Sequence, residues 1–219
     1  YLCLTRYDIM ADVCILQTKV YKATIPDLQQ CNMIIRRAHR DADYGLCFHF
    51  MKGPFRLSAI GDASHAGTKT SYAIEGQIVC LMQEILIDYV APRSELNQFQ
   101  LETLSGPAHP MFGSAKKAKR ISHSTSHAEA LANHSVLSNA ELIAMRYTEL
   151  TGEGSYTCQQ LLEFDSDGKY DIPIDGYTDC MDLFELTIGV KGVPTDRAQR
   201  LLVLSIREKR ICGKTRHSY

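Results

Sequence analysis

The order in which strand-like and helix-like segments follow one another is the feature that most limits what this chain can fold into. Three β-prone segments come first, at 55–63, 72–82 and 110–114, the second being one long strand or a hairpin. From Ser126 to Leu150, apolar and small residues recur at helical steps of three or four. A helix, a strand and two further helices are predicted after it, at 158–164, 170–179, 180–188 and 196–210. This order predicts an α/β fold, a mixed sheet with helices packed on it.

A separate, mainly helical unit is predicted before the sheet. Helical spacing covers 6–20, and Thr24 is placed as the N-cap of a second helix that buries Leu28 and Ala38. The alternation in Tyr44–Phe50 is typical of a strand. A Gly-Pro connector follows, and we place the domain boundary there, giving domains 1–53 and 54–219.

Bulk composition excludes some classes of protein. Apolar residues make up 45% of the chain and the formal net charge is −1, so any binding of nucleic acid must rest on local patches. No run approaches the ~20 apolar residues of a membrane helix, and we predict no membrane partner. Eight dispersed cysteines without a Cys-x-x-Cys pair predict reduced thiols in an intracellular protein. No signal peptide is recognised. A start without Met, directly inside an apolar pattern, predicts a piece cut from a longer polypeptide.

Four acids are candidate metal ligands. Asp62 lies in the apolar run that begins at Ala59, and an acid inside a strand is costly unless it is paired or bound to a metal. Glu129 is placed on the first turn of the long helix, Asp179 at the end of the fourth strand, and Asp196 at the start of the last helix. Carboxylates brought together repel unless neutralised, and oxygen ligands suit Mg²⁺ or Mn²⁺. We therefore predict a two-ion site of the nuclease type.

Each acid also has a simpler explanation when it is taken alone. Glu129 has capping-box spacing from Ser126, Asp179 is positioned to cap a helix that begins at Cys180, and Asp62 suits a turn. The metal hypothesis therefore depends on the order of the acids and on the types of element that carry them.

The chain resembles the ribonuclease H (RNase H) region of copia-type LTR retrotransposon polyproteins, preceded by the end of the reverse transcriptase. The RNase H likeness is carried by Gly61–Gly67, Ser124–Glu129, Tyr177–Cys180 and Asp196–Glu208. The likeness to reverse transcriptase is carried by Tyr1–Ile9, Ile34–Arg37 and Asp43–Leu46. The chain departs from the family at Ser64, His65 and Cys180.

The resemblance implies an RNase H-like sheet and hydrolysis of the RNA strand of RNA–DNA hybrids with two Mg²⁺ or Mn²⁺ ions. Asp62 would bridge both ions, Glu129 and Asp179 would hold one each, and Asp196 would complete the second. The family's fourth position falls at Arg200, one helical turn after Asp196. The implied partners are the hybrid and the rest of the Pol polyprotein, and the implied location is cytoplasmic, in virus-like particles.

Other interpretations stay open at this stage. One is a decayed RNase H module that only binds or tethers nucleic acid, and another is a DNA nuclease or integrase-like enzyme of the same fold. A zinc site among His123, His127 and His134 is disfavoured, because their spacing does not match a His-Glu-x-x-His pattern. Two basic groups could contact phosphates or simply face solvent: Lys116, Lys117, Lys119 and Arg120, and Arg36, Arg37 and Arg40.

Overall fold

A mixed five-stranded sheet forms the centre of the protein. The computed structural model describes residues 3, 5–64, 73–84, 107–118, 122, 124–152 and 156–218. The strands are β1 (Phe55–Ser64), β2 (Ile74–Gln83), β3 (Ala108–Lys117), β4 (Ile174–Tyr177) and β5 (Arg216–Ser218). They are arranged in the order β3-β2-β1-β4-β5. The first three are antiparallel, whereas β4 runs parallel to β1 and β5 parallel to β4.

The described part of the chain also contains six α-helices. They are α1 (Met10–Gln17), α2 (Ile25–Arg40), α3 (Thr125–Thr151), α4 (Cys158–Asp167), α5 (Met181–Ile188) and α6 (Arg197–Ile211). Helix α3 packs across β1, β2 and β4. Its Val136 and Ala140 are buried against Leu57 of β1 and Ile174 of β4, and these residues belong to the main hydrophobic core. No helix among the described residues is long and apolar enough to cross a membrane.

The fold class predicted from the sequence is confirmed: three antiparallel strands precede the helix–strand alternation, with a mainly helical part before them. This is the arrangement expected of an RNase H-like sheet. The fifth strand was not predicted. Its three residues, Arg216–Ser218, are too few to show a period of two, and they pair only because α6 returns the chain beside β4.

The helical N-terminal part packs on the outer strand of the sheet. Helix α1 contacts β3, and the ring of Tyr7 lies against Gly113, where an added Cβ would come within 2.8 Å of the ring. Thr24 caps α2 as predicted, and its backbone N–H donates to Oδ2 of Asp27 at 3.0 Å. The boundary at 53/54 stays a prediction.

The strand predicted at Tyr44–Phe50 is wrong. The structure describes all seven residues and assigns none of them to a strand. The backbone N–H of His49 donates to Nε2 of the His109 side chain at 2.8 Å, instead of to a neighbouring backbone carbonyl. Phe48 and Phe50 remain exposed, so the alternation in this segment has no sheet face to bury.

Two of the boundaries that differ from their predicted positions belong to elements next to candidate acids. The strand expected at 170–179 is confined to β4, and Pro173, which has no backbone N–H to contribute to a ladder, stands directly before it. Helix α3 begins at Thr125, after the N-cap Ser124, and not at Ser126. Both differences move candidate acids relative to the ends of their elements.

Candidate metal centre

Three of the predicted acids meet at one edge of the sheet. Asp62 lies near the end of β1, Glu129 in α3, and Asp179 two residues beyond β4. Each offers a carboxylate oxygen, and these three oxygens lie within 4.8 Å of one another. The prediction that residues far apart in the sequence converge here is confirmed for these three.

The parallel pairing of β1 with β4 explains how two of them meet. Ile60 pairs with Tyr177 at the end of this ladder. Asp62 and Asp179 each lie two residues beyond this last pair, so the two neighbouring strands direct both acids to the same edge of the sheet. Both side chains are exposed, which leaves them accessible to solvent ions.

A close contact between helix and strand brings in the third acid. At Gly61 an added Cβ would lie 3.0 Å from the backbone of Ala132 in α3, so the helix rests directly on the strand. Ala63, Ala128 and Ala132 form a small buried cluster beside this contact. Only small side chains permit such an approach, which buries Glu129 to 4% exposure next to Asp62.

Glu129 is poorly compensated as an anion in this position. Its Oε1 accepts a hydrogen bond from the backbone N–H of Ala63 at 3.3 Å. Its buried Oε2 has no hydrogen-bond donor among the described residues. Burial raises the pKa of Glu129 to about 7; the Ala63 N–H opposes this shift, and the charges of Asp62 and Asp179 add to it.

These properties fit a hard divalent cation. All three donors are carboxylates, the ligand type that Mg²⁺ and Mn²⁺ prefer, and a cation would supply the partner that Oε2 of Glu129 lacks. It would also offset the repulsion among the three negative charges. The site is therefore a candidate metal centre built from β1, α3 and the segment after β4.

The simpler explanations of these acids are wrong. Ser124, and not Ser126, caps α3, and its Oγ accepts from the backbone N–H of His127 at 3.1 Å. Glu129 therefore lies beyond the cap and is turned toward the sheet. The N-cap of α5 is Cys180, so Asp179 does not cap that helix, and β1 continues past Asp62 to Ser64.

The structure does not bring Asp196 into the cluster. This residue is the N-cap of α6, and its Oδ1 accepts from the backbone N–H of Gln199 at 2.8 Å. The side chain of Gln199 in turn donates to Oγ of Ser126, at the start of α3, at 3.0 Å. In this structure Asp196 therefore caps its own helix, and its role as a metal ligand stays a prediction.

The other candidate groups have different partners. His134 shares a hydrogen bond with Ser205 at 3.2 Å, and among the described residues no histidine belongs to the cluster of candidate metal ligands. Lys116 donates to Ser135 at 3.0 Å. Arg37 and Arg40 form ion pairs with aspartates of their own N-terminal region. Lys119, Arg120 and His123 lie outside the described residues.

One residue beside the site was missed in the sequence. Asn133 is buried in α3, four residues after Glu129, and its amide contacts both α3 and β1. The available signal was its position beside the stripe formed by Ala128, Ala132 and Val136, where a polar amide must find partners once the helix packs.

Comparisons with known proteins give a limited likeness. No family model and no curated protein matches the chain. Among solved structures, it is similar to RNase H1 from the halophilic archaeon Halobacterium salinarum NRC-1, with 14% identity and a TM-score of 0.41 over 74% of this chain and 82% of that one. It is also similar to LC11-RNase H1 isolated from compost by a metagenomic approach, with 11% identity and a TM-score of 0.36 over 75% and 83% of the two chains.

Proposed function

We propose that this chain is a metal-dependent nuclease of the RNase H type that hydrolyses the RNA strand of RNA–DNA hybrids. The observation that carries the proposal is the convergence of Asp62, Glu129 and Asp179, with one oxygen from each within 4.8 Å. The motifs around these three acids, which resemble those of copia-type retrotransposons, support the choice of substrate and the Pol polyprotein context.

The three carboxylates would act by holding two divalent ions, Mg²⁺ or Mn²⁺. Such ions activate an attacking water and stabilise the leaving oxygen of an in-line phosphoryl displacement. Asp62 would bridge both ions, while Glu129 and Asp179 would hold one each. The buried position of Glu129 excludes water from one side of the site, and the exposed Asp62 and Asp179 leave the other side open to a phosphodiester.

The wider context is part of the same proposal. A hybrid differs from duplex DNA by the 2′-hydroxyls of its RNA strand, which are the groups that a protein of this class must recognise. In line with the resemblance of its motifs, we propose that the chain lies next to a reverse transcriptase in a Pol polyprotein and acts in cytoplasmic virus-like particles. Products would carry a 3′-hydroxyl and a 5′-phosphate.

A second candidate function is a decayed RNase H module that binds or tethers the hybrid without cutting it. One observation favours it: the described cluster contains three acids, and Asp196 caps α6 instead of joining them. Binding and cleavage must therefore be measured on the same substrate.

The deciding experiment uses an RNA–DNA hybrid with a labelled RNA strand, incubated with Mg²⁺, with Mn²⁺ or with a chelator. We expect the wild-type protein to cut the RNA only when a metal is present. Losing a residue that only hydrogen-bonds to a metal ligand lowers activity by up to about 100-fold. Asp62→Asn removes a proposed ligand itself, so it should lower the rate of RNA cleavage by more than about 100-fold. Asp167→Asn is the matched control, since Asp167 is an exposed acid paired with Lys169 outside the cluster.

Each alternative gives a different result in this assay. A hybrid that is bound but not cut would favour the decayed module. Cleavage of duplex DNA, with the hybrid left intact, would favour a DNA nuclease of the same fold. An Asp62→Asn protein that cuts as fast as the Asp167→Asn control would refute the assignment of the metal centre.

A further inference from the structure

Asn133 is a buried amide at the point where α3 touches β1. Its side chain is 2% exposed. Nδ2 donates to the backbone carbonyl of Gly61 at 3.3 Å and to the backbone carbonyl of Glu129 at 3.2 Å. One amide group therefore links the residue before Asp62 to Glu129 itself.

The surroundings of Asn133 do not require a polar residue for packing. Neighbouring positions of the helix carry Ala132, Val136 and Leu137, all fully buried. A buried amide costs free energy unless it is hydrogen-bonded, whereas an apolar side chain of similar size would fill the same space without that cost. The distinctive contribution of Asn133 is thus its directional bond from α3 to the backbone of β1.

The contact between α3 and β1 also sets the distance between the carboxylates of Asp62 and Glu129. Because Gly61 has no Cβ, the backbone of Ala132 can come close to β1. The side-chain amide of Asn133 then holds α3 in that position. Asp62 follows Gly61 directly, and Glu129 lies one turn before Asn133 in the helix. A small shift of α3 along or away from β1 would change the separation of the two carboxylates.

We propose that Asn133 is a positioning residue of the metal centre, holding α3 against Gly61 so that Asp62 and Glu129 can bind the same cations. This role rests on the proposed function, because it presupposes that the three acids bind a divalent ion. Asn133 does not touch the reacting atoms and acts only through the spacing of the two ligands.

The test measures Mn²⁺ binding to the full chain, by calorimetry and by the electron paramagnetic resonance signal of free Mn²⁺. We expect Asn133→Ala to raise the Kd for Mn²⁺ by about 10–100-fold, which is the usual effect of losing a residue that orients a metal ligand by a hydrogen bond. Asn133→Ser should weaken binding similarly. A serine in a helix can bond to the carbonyl four residues back, as Ser138 does to His134 at 2.9 Å, but it is too short to reach Gly61.

Asn139→Ala is the matched control. Asn139 is also an α3 amide that bonds to the sheet, donating from Nδ2 to Oε1 of Gln77 at 3.1 Å, but it lies ten residues beyond Glu129. Its removal should lower the thermal midpoint without changing the Kd. Gly61→Ala offers a second route to the same result, since the added Cβ must push α3 away from β1.

The outcomes separate this inference from the proposed function. If the wild-type protein binds no Mn²⁺, the proposed function fails and the role of Asn133 fails with it. If the wild type binds but Asn133→Ser keeps the same Kd, only the positioning role is overturned. Should Asn133→Ala not fold, the serine and Gly61→Ala proteins decide the question by the same measurement.

Discussion

Two buried carboxylates of this protein, Asp175 and Glu129, are equally hidden from solvent but have opposite surroundings. Each is 4% exposed. Oδ2 of Asp175 accepts from Arg56 at 3.0 Å and Oδ1 accepts from Arg216 at 2.5 Å. Glu129 accepts one backbone N–H at 3.3 Å and otherwise faces Asp62 and Asp179.

The difference shows that one buried carboxylate at this sheet is neutralised by arginines, whereas another has no cationic side chain of the described chain beside it. Asp175 lies on β4 between the arginines of β1 and β5, so its charge is neutralised within the protein and ties three strands together. Glu129 has no cationic side chain of the described chain beside it, and its pKa is raised to about 7, foremost by burial. Removing one partner of a buried ion pair leaves an uncompensated charge and is costly, whereas a buried acid that has no such partner leaves room for an external cation.

The largest effect on stability should follow the loss of Arg56. Arg56→Ala leaves Asp175 buried with one of its two arginine partners missing, and we expect the free energy of unfolding to fall by about 3–5 kcal/mol. The affinity of the folded protein for Mn²⁺ should not change, because neither Arg56 nor Asp175 belongs to the cluster of candidate metal ligands. Chemical denaturation measures the first quantity, and a metal titration measures the second.

The control for this prediction is Lys169→Ala, which breaks the exposed ion pair with Asp167. Its cost should not exceed about 1 kcal/mol. If Arg56→Ala costs no more than this, Arg216 alone is enough to neutralise Asp175, and the proposed contrast with Glu129 is weaker.

A smaller effect, with a pH dependence, is expected from Glu129→Gln in the metal-free protein. Folding raises the pKa of Glu129 from 4.5 to about 7, so the folded state binds a proton more tightly than the unfolded state. Stability of the wild type should therefore fall as the pH rises through this interval. The neutral glutamine keeps an oxygen for the Ala63 N–H and should remove the decline, leaving the variant more stable above pH 7 by on the order of 3 kcal/mol.

Urea unfolding at several pH values, with a chelator present, measures this difference. Added Mg²⁺ should restore the stability of the wild type at high pH and have little effect on Glu129→Gln. Parallel stability curves for the two proteins would contradict the idea that Glu129 is an uncompensated buried acid.

The smallest predicted effect concerns the start of α3. Ser124→Ala removes the side-chain acceptor of the His127 N–H, and we expect a loss of about 1 kcal/mol in unfolding free energy. Ser166→Ala, at an exposed position of α4, should change stability by no more than about 0.5 kcal/mol. Equal, negligible losses would show that Ser124 does not cap the helix in solution.

The sequence was sufficient to predict the fold class and the convergence of three of the acids, because both depend on the order of helices and strands along the chain. A strand ending near Asp62, a helix carrying Glu129 and a strand ending near Asp179 have few ways to pack other than the observed one. The role of Asp196 was not accessible in this way. Whether a carboxylate at the start of a helix binds a metal or caps the helix is decided by distances of a few ångströms.

Tertiary contacts decided the remaining differences. Ser124 and Ser126 are both suitable N-caps by local sequence, and in the folded chain Ser124 is the N-cap. The alternation in Tyr44–Phe50 is real, but the segment finds the ring of His109 in place of a backbone ladder. The two carbonyl partners of Asn133 depend on how α3 packs on β1, which no local sequence pattern specifies.

The parallel ladder between β1 and β4 has a consequence for the order of events during synthesis. Asp62 is made early, but its neighbour Asp179 follows only after α3 and α4, so the three carboxylates cannot come together until β4 has taken its place beside β1. Contacts between such distant parts of a chain form late in folding, since a long loop must close first. A ribosome-bound or prematurely terminated product that lacks β4 would therefore lack the candidate metal centre.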